Sequence, residues 1–219
     1  METIDYAPGR LADLYGDPAH PTVLLWHGMQ TDARGAVRPL AELVAGHGLS
    51  VVTPDWDSHA ADGGRADLLR SAQMAMERSA GDLVVVGWSL GGLAAAGLTI
   101  HAADHNIGIA HTVCLAGAFT ATDPLSGNTL PTELPGGDRP PFTLLHGTAD
   151  DVVPVDISRA FAATLVRADW PVELVELDAD HGNIAGAVYD PEGDRYLAAD
   201  DPETVAVDVA RRIAVVALH

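Results

Sequence analysis

Three side chains far apart in the chain have the types needed to turn a hydroxyl into a nucleophile. Ser89 sits in Gly87-Trp88-Ser89-Leu90-Gly91, where a β-branched run, "LVVV", gives way abruptly to an alanine-rich segment. A serine hydroxyl reacts only when a base takes its proton, and the base works best when an acid orients it. Asp150 in "HGTADDVVP" and His181 in "LDADHG" supply both types downstream. Asp151 and Asp123 are alternative acids. Attack on a carbonyl also needs two N–H groups aimed at the developing oxyanion. Leu90, next after the serine, offers one. The loop after "LLWHG" offers the other, from Met29 or alternatively Gln30, with His27 and Gly28 shaping the loop. His146, in a similar "HG", reads as structural.

Such residues meet only if the fold brings them to one edge. Apolar strand-like runs alternate with longer helix-like segments, the pattern of βαβ units around a parallel sheet. Strands are expected over 22–28, 49–56, 82–89, 109–119, 142–150 and 171–181. Helices are expected from about 33 to 45 with Pro39 in the first turn, 65–79, 90–104 and 155–168. A last helix should start at Asp201, which can cap it, with Pro202 in its first turn. Val205, Val209, Ile213 and Val216 would form its apolar stripe. "IDYAPGRLADLY" could form an edge hairpin about Pro8 and Gly9. Residues 120–141 and 183–200 read as irregular. In this arrangement Ser89, Asp150 and His181 each follow a strand. The glycines flanking Ser89 allow the tight bend that would present its hydroxyl at the C-terminal edge of the sheet, where ligands bind.

With these motifs in place, the chain resembles an α/β-hydrolase, similar to the small, nearly lidless carboxylesterases, acyl-thioesterases and dienelactone hydrolases. "LLWHGMQ", "GWSLGG", "LLHGTADDVVP" and "DADHG" fall in that family's order from Thr22 onward. The resemblance implies one domain over 1–219, a three-layer α/β/α sandwich with a mostly parallel doubly wound sheet. Against the family's eight-stranded sheet, this chain reads as trimmed at the N-terminal edge, and only a short cap-like loop, residues 120–141, follows the fourth strand. In the pattern H-G-x-x-D-x-V-V-P the resemblance favours Asp150 as the acid. Dienelactone hydrolases usually carry cysteine as nucleophile, so Ser89 points to ordinary ester chemistry. The implied activity is hydrolysis of carboxylic esters or thioesters through an acyl-enzyme, without a cofactor. Peptide hydrolysis, acyl transfer and perhydrolysis use the same triad, and a silent binding protein could share the fold.

The remaining features narrow the partners. The 219 residues carry 31 acidic and 12 basic side chains, a net charge of -19. Every basic residue is arginine, and aspartate outnumbers glutamate. Such a surface repels nucleic acid and anionic membranes, leaving a small-molecule ester as the expected partner. The acid excess fits either a solubility-biased composition or adaptation to high salt. One cysteine, Cys114, excludes an internal disulfide and suits a core position. With no secretory pattern in "METIDYAPGR", it suggests a cytoplasmic protein. Leu83 to Ile100 is uncharged and long enough to raise the question of a membrane span, but its four glycines and change of period fit a buried strand and helix. Asp55, Asp57 and His59 could present ligands to a cation. Aspartates in such places also end strands and cap helices, and no second cluster converges on them, so no metal is expected; that loop, with Trp56, is expected to line the pocket. Trp88 could pack beneath the serine or wall the pocket.

Overall fold

The computed structural model describes residues 1–202 and 204–218. Among the described residues the strands are β1 (Glu2–Ala7), β2 (Arg10–Tyr15), β3 (Thr22–Trp26), β4 (Ser50–Pro54), β5 (Leu83–Trp88), β6 (Ile109–Leu115), β7 (Phe142–Gly147), β8 (Val172–Leu177), β9 (Ala187–Asp190) and β10 (Arg195–Ala198). The helices are α1 (Arg38–Ala45), α2 (Arg65–Arg78), α3 (Leu90–Ile100), the single turn α4 (Ala102–His105), α5 (Val155–Arg167) and α6 (Thr204–Leu218).

Eight strands form one sheet in the order β1-β2-β4-β3-β5-β6-β7-β8. β1, β2 and β4 pair antiparallel, and every later pairing is parallel. This corrects the expectation of a trimmed sheet: the edge is complete. Its two outer strands are half polar, with Glu2 and Asp5 facing water on β1, so they lack the continuous apolar run of a buried strand. Charge on an edge strand also discourages pairing with another chain.

Period-two alternation divides the sheet's side chains between two cores. Val23, Leu25, Val84 and Val86 face α1 and α6, whose Leu40, Val44, Val209 and Ile213 are fully buried. Leu24, Trp26 and Val85 face α2 and α3 on the other side, and a third cluster there joins α3 to α5 through Leu93, Phe142 and Phe161. Each such side chain contributes about 1.5–3 kcal/mol by leaving water. The result is the α/β-hydrolase fold, a three-layer sandwich.

Other expectations shift at their edges. The first helix opens with a 3-10 turn at Arg34–Val37, and Pro39 does occupy the first turn of α1. The segment after Ser89 breaks at His101 into α3 and α4. α6 is described from Thr204; Asp201 and Pro202 precede it, and Glu203 lies outside the described residues. Its stripe is as expected, with Val209 and Ile213 buried and Val205 and Val216 packed at the margin. The segment Leu83–Ile100 is a buried strand and helix, and no helix among the described residues is long and apolar enough to cross a membrane.

With 31 acidic against 12 basic side chains, mutual repulsion opposes folding at low ionic strength. Raising KCl from 0.1 to 2 M shrinks the screening length to a few ångströms, roughly 2–3 Å. A melting temperature higher by roughly 10 °C is the expected result; a flat one would leave the acid excess without a part in stability.

Candidate active site

Ser89 stands on the bend between β5 and α3 with φ 57° and ψ -118°. Such positive-φ backbone costs a non-glycine residue about 1–3 kcal/mol and persists only where its surroundings enforce it. Here they do. The Ser89 N–H donates to Leu115 O at 2.9 Å, and its carbonyl accepts from the N–H groups of Gly92, Leu93 and Ala118. The turn is also too tight for side chains beside it. A Cβ on Gly87 would lie 2.1 Å from Gly91 O, and one on Gly91 would lie 2.3 Å from His27 O. Leu90 opens α3, so its N–H has no carbonyl one turn back to bond and lies at the positive end of the helix dipole.

The loop after β3 lies against this bend: a Cβ on Gly28 would sit 3.3 Å from Ser89 Cβ. His27 fixes the loop. Its Nε2 accepts from the N–H groups of Ala33 (3.3 Å) and Trp56 (3.2 Å), so Nδ1 carries the proton and donates to Gly28 O at 2.8 Å. Trp56 stacks on the ring and its indole N–H donates to His27 O. Complete burial pushes the imidazole down to about 4, only partly opposed by the bond to Gly28.

The ordinary value for histidine, 6.5, applies to the unfolded chain. Between pH 6.5 and 4 the unfolded chain therefore binds a proton that the folded one refuses. Stability from this group is full above pH 6.5 and declines as pH falls toward 4, by about 3 kcal/mol in all. In urea titrations, His27→Gln should flatten the acid side of the pH–stability curve. An unchanged slope would contradict this assignment.

Asp150 follows β7 and His181 follows β8, and the structure brings the two together. His181 Nδ1 donates to Asp150 Oδ2 at 2.8 Å. The neutral ring then keeps its lone pair on Nε2. Asp150 Oδ1 accepts from the N–H groups of Val152 (2.9 Å) and Val153 (2.8 Å). His146 is the unexpected neighbour. Its Nε2 donates to Val153 O at 2.7 Å and lies 3.4 Å from Asp150 Oδ2, while Nδ1 takes the Ser158 hydroxyl at 2.7 Å. Burial favours the neutral acid, but the donors from His146, His181 and Val153 outweigh it and hold Asp150 far below the usual carboxylate range. Asp150 is thus ionised and fully enclosed.

The histidine loop is tied to the serine bend. Trp88, the residue before Ser89, donates its indole N–H to His181 O at 2.7 Å and packs beside that ring. Asp180 Oδ1 accepts from the N–H groups of Gly182 and Asn183, closing the turn that carries His181. A cavity of about 670 Å3 is lined by Ser89, His181, Met29 and Gln30 together, with Trp88 as part of its wall. Asp151 lines it too, exposed and one residue away from Asp150, whose carboxylate is enclosed.

Several expectations fall elsewhere. Asp123 is buried and bonds the N–H groups of Leu125 and Ser126 in its own turn. Asp55 pairs with Arg34, while Asp57 accepts from the Thr31 hydroxyl and the His59 N–H. Among the described residues no group of three or more His, Cys, Asp or Glu could hold a metal ion. Trp56 is core, beneath His27, rather than pocket wall. Cys114 is a buried free thiol, as expected.

Residues 120–141 are irregular but do not line the cavity; Arg65 Nε donates to Leu125 O and Leu125 packs with α2 and α3. The wall comes instead from residues 183–200, which are not irregular. They form a 3-10 turn at Asn183–Ala185 and the hairpin β9–β10, with Val188, Tyr189, Asp194, Arg195 and Tyr196 in the lining. The short strands flank "DPEGD", and the turn residues outweigh the strand signal.

No family model matches the sequence, and no curated protein matches it. Solved structures do match. Thermogutta terrifontis esterase 2 with propionate bound aligns over 98% of this chain and 93% of its own, at 20% identity and a TM-score of 0.71. The same esterase phosphoramylated by tabun covers 98% and 93% at 19% identity, with a TM-score of 0.73. Its form phosphonylated by cyclosarin covers 96% and 90% at 18% identity, with a TM-score of 0.71. At these identities the likeness is one of fold, and it spans nearly the whole of both chains.

Proposed function

We propose that this protein is a serine hydrolase of small-molecule carboxylic esters. The observation that carries the reading is His181 on the wall of the same cavity as Ser89, bonded from behind to the enclosed Asp150 carboxylate, with Ser89 held at positive φ on the bend. The likeness in fold to an esterase that is modified by organophosphorus esters supports it.

In the proposed reaction the Ser89 Oγ attacks the acyl carbon while His181 Nε2 takes its proton. Asp150, ionised at the start, holds the ring by Nδ1 and stabilises the imidazolium as it forms. The N–H groups of Leu90 and Met29 receive the oxyanion, each worth about 3–4 kcal/mol in comparable sites. Collapse of the tetrahedral species breaks the bond to the leaving oxygen, which departs as an alcohol carrying the proton from His181. Water then gives a proton to His181 and attacks the acyl-serine. Loss of Ser89 Oγ, reprotonated by the imidazolium, frees the carboxylic acid. A thioester would follow the same path with a thiol leaving. The scheme uses no cofactor. A net charge of -19 disfavours nucleic acid as partner, and a single buried thiol accords with a cytoplasmic setting.

The test is a matched panel of p-nitrophenyl esters, the corresponding anilides and acyl-CoA thioesters. Turnover of the esters well above the anilides is expected. Anilide cleavage at comparable rates would make the protein a peptidase-like amidase. Absence of turnover across the panel would leave a binding protein.

A further inference from the structure

Gln30 follows Met29 directly, and its side chain bonds another lining residue of the cavity, 166 positions later. The Tyr196 N–H donates to Gln30 Oε1, and Gln30 Nε2 donates to Tyr196 O at 3.2 Å. One carboxamide thus satisfies both backbone groups of Tyr196, as a neighbouring strand would. We infer that Gln30 is a positioning residue, whose side chain locks the loop carrying the Met29 N–H to the hairpin bracing His181. This rests on the ester-hydrolase reading and extends it.

The Tyr196 ring is the other half of the tie. It stands edge-on to Trp88 at 5.1 Å and lies 5.8 Å from the His181 ring and 5.3 Å from that of Tyr189. It is pressed so closely over the histidine turn that a Cβ on Gly182 would come within 2.9 Å of Tyr196 Cε1. Trp88 in turn holds the His181 carbonyl. The contacts close a ring: Met29 to Gln30, Gln30 to Tyr196, Tyr196 to Trp88 and His181, and Trp88 to Ser89.

The hairpin needs such a tie. Its Val188, Tyr189 and Leu197 are 40–51% exposed, so little apolar burial fixes it. Ala187 N–H to Gly182 O and Ala199 N–H to Gly186 O, each 3.0 Å, pin its base to the histidine side, and on the other side it packs against the 3-10 turn Arg34–Val37, several residues beyond Met29. Gln30 joins it to the oxyanion side. A carboxamide lost there would let the Met29 N–H and the imidazole drift independently. Misplacement of about 1 Å costs catalysis up to ~100-fold without needing to change ground-state binding.

Kinetics on one p-nitrophenyl ester test the inference in wild type, Gln30→Met and Gln30→Glu. Methionine keeps the length and removes both bonds; glutamate keeps the acceptor for the Tyr196 N–H. Gln30→Met should lose about 10- to 100-fold in kcat with KM within about twofold, and Gln30→Glu should fall between it and wild type. Melting temperatures should stay within a few degrees. Wild-type kcat in Gln30→Met would overturn the inference. So would a loss confined to KM, a loss that tracks melting temperature, or a Gln30→Glu no better than Gln30→Met. Wild type without ester turnover would instead remove the hydrolase reading, and this inference with it.

Discussion

Ser89→Ala should lower kcat on a carboxylic ester by about 10^5- to 10^6-fold while leaving the melting temperature nearly unchanged. The loss is large because no other group on the cavity wall stands where the hydroxyl stands, and base and acid achieve nothing without a nucleophile. The remaining activity would be that of the oxyanion donors and binding alone. The fold should survive because the bonds holding the bend run through backbone: Ser89 N–H to Leu115 O, and the carbonyl to Gly92, Leu93 and Ala118. Alanine keeps all of them. A variant that retained a tenth of the wild-type rate would place the nucleophile elsewhere.

Asp150→Asn should cost about 10^4-fold in kcat. The reason lies in which oxygen each donor uses. Oδ1 takes the N–H groups of Val152 and Val153, so an asparagine would keep its carbonyl oxygen there. Its NH2 would then face His181 Nδ1 at the position of Oδ2. A donor in that place forces the proton of the neutral ring onto Nε2, and the ring can no longer accept from Ser89. Asp151→Asn should stay within about twofold of wild type, since Asp151 is exposed and lacks those donors. Equal losses in the two variants would reassign the acid.

What could be read from the sequence was what depends on local chemistry. The strand-to-helix change around Ser89, the glycines of its bend, and an aspartate and a histidine each following a strand all leave short-range marks. The fully buried strands β3, β4 and β5 do too, as unbroken apolar runs. What escaped was decided by contacts between distant segments. β1 and β2 form the edge hairpin expected about Pro8 and Gly9, but they are half polar because one edge meets water, and only their pairing with the distant β4 makes them part of the main sheet. β9 and β10 are four residues each and sit among turn residues. The Gln30–Tyr196 tie joins positions 166 apart, and neither residue type announces it. His146 read as structural, and its own bonds are structural; only the fold places its Nε2 beside Asp150.

In the proposed reaction everything depends on His181 activating the Ser89 hydroxyl in the folded protein. Reaction with a fluorophosphonate ester, followed by mass mapping of the adduct, tests it most directly. One adduct per chain is expected, on Ser89, formed rapidly in the folded wild type and slowed by at least about 10^3-fold in His181→Ala or after unfolding. Folded protein without label at Ser89, or labelled equally fast when His181 is gone, would contradict it.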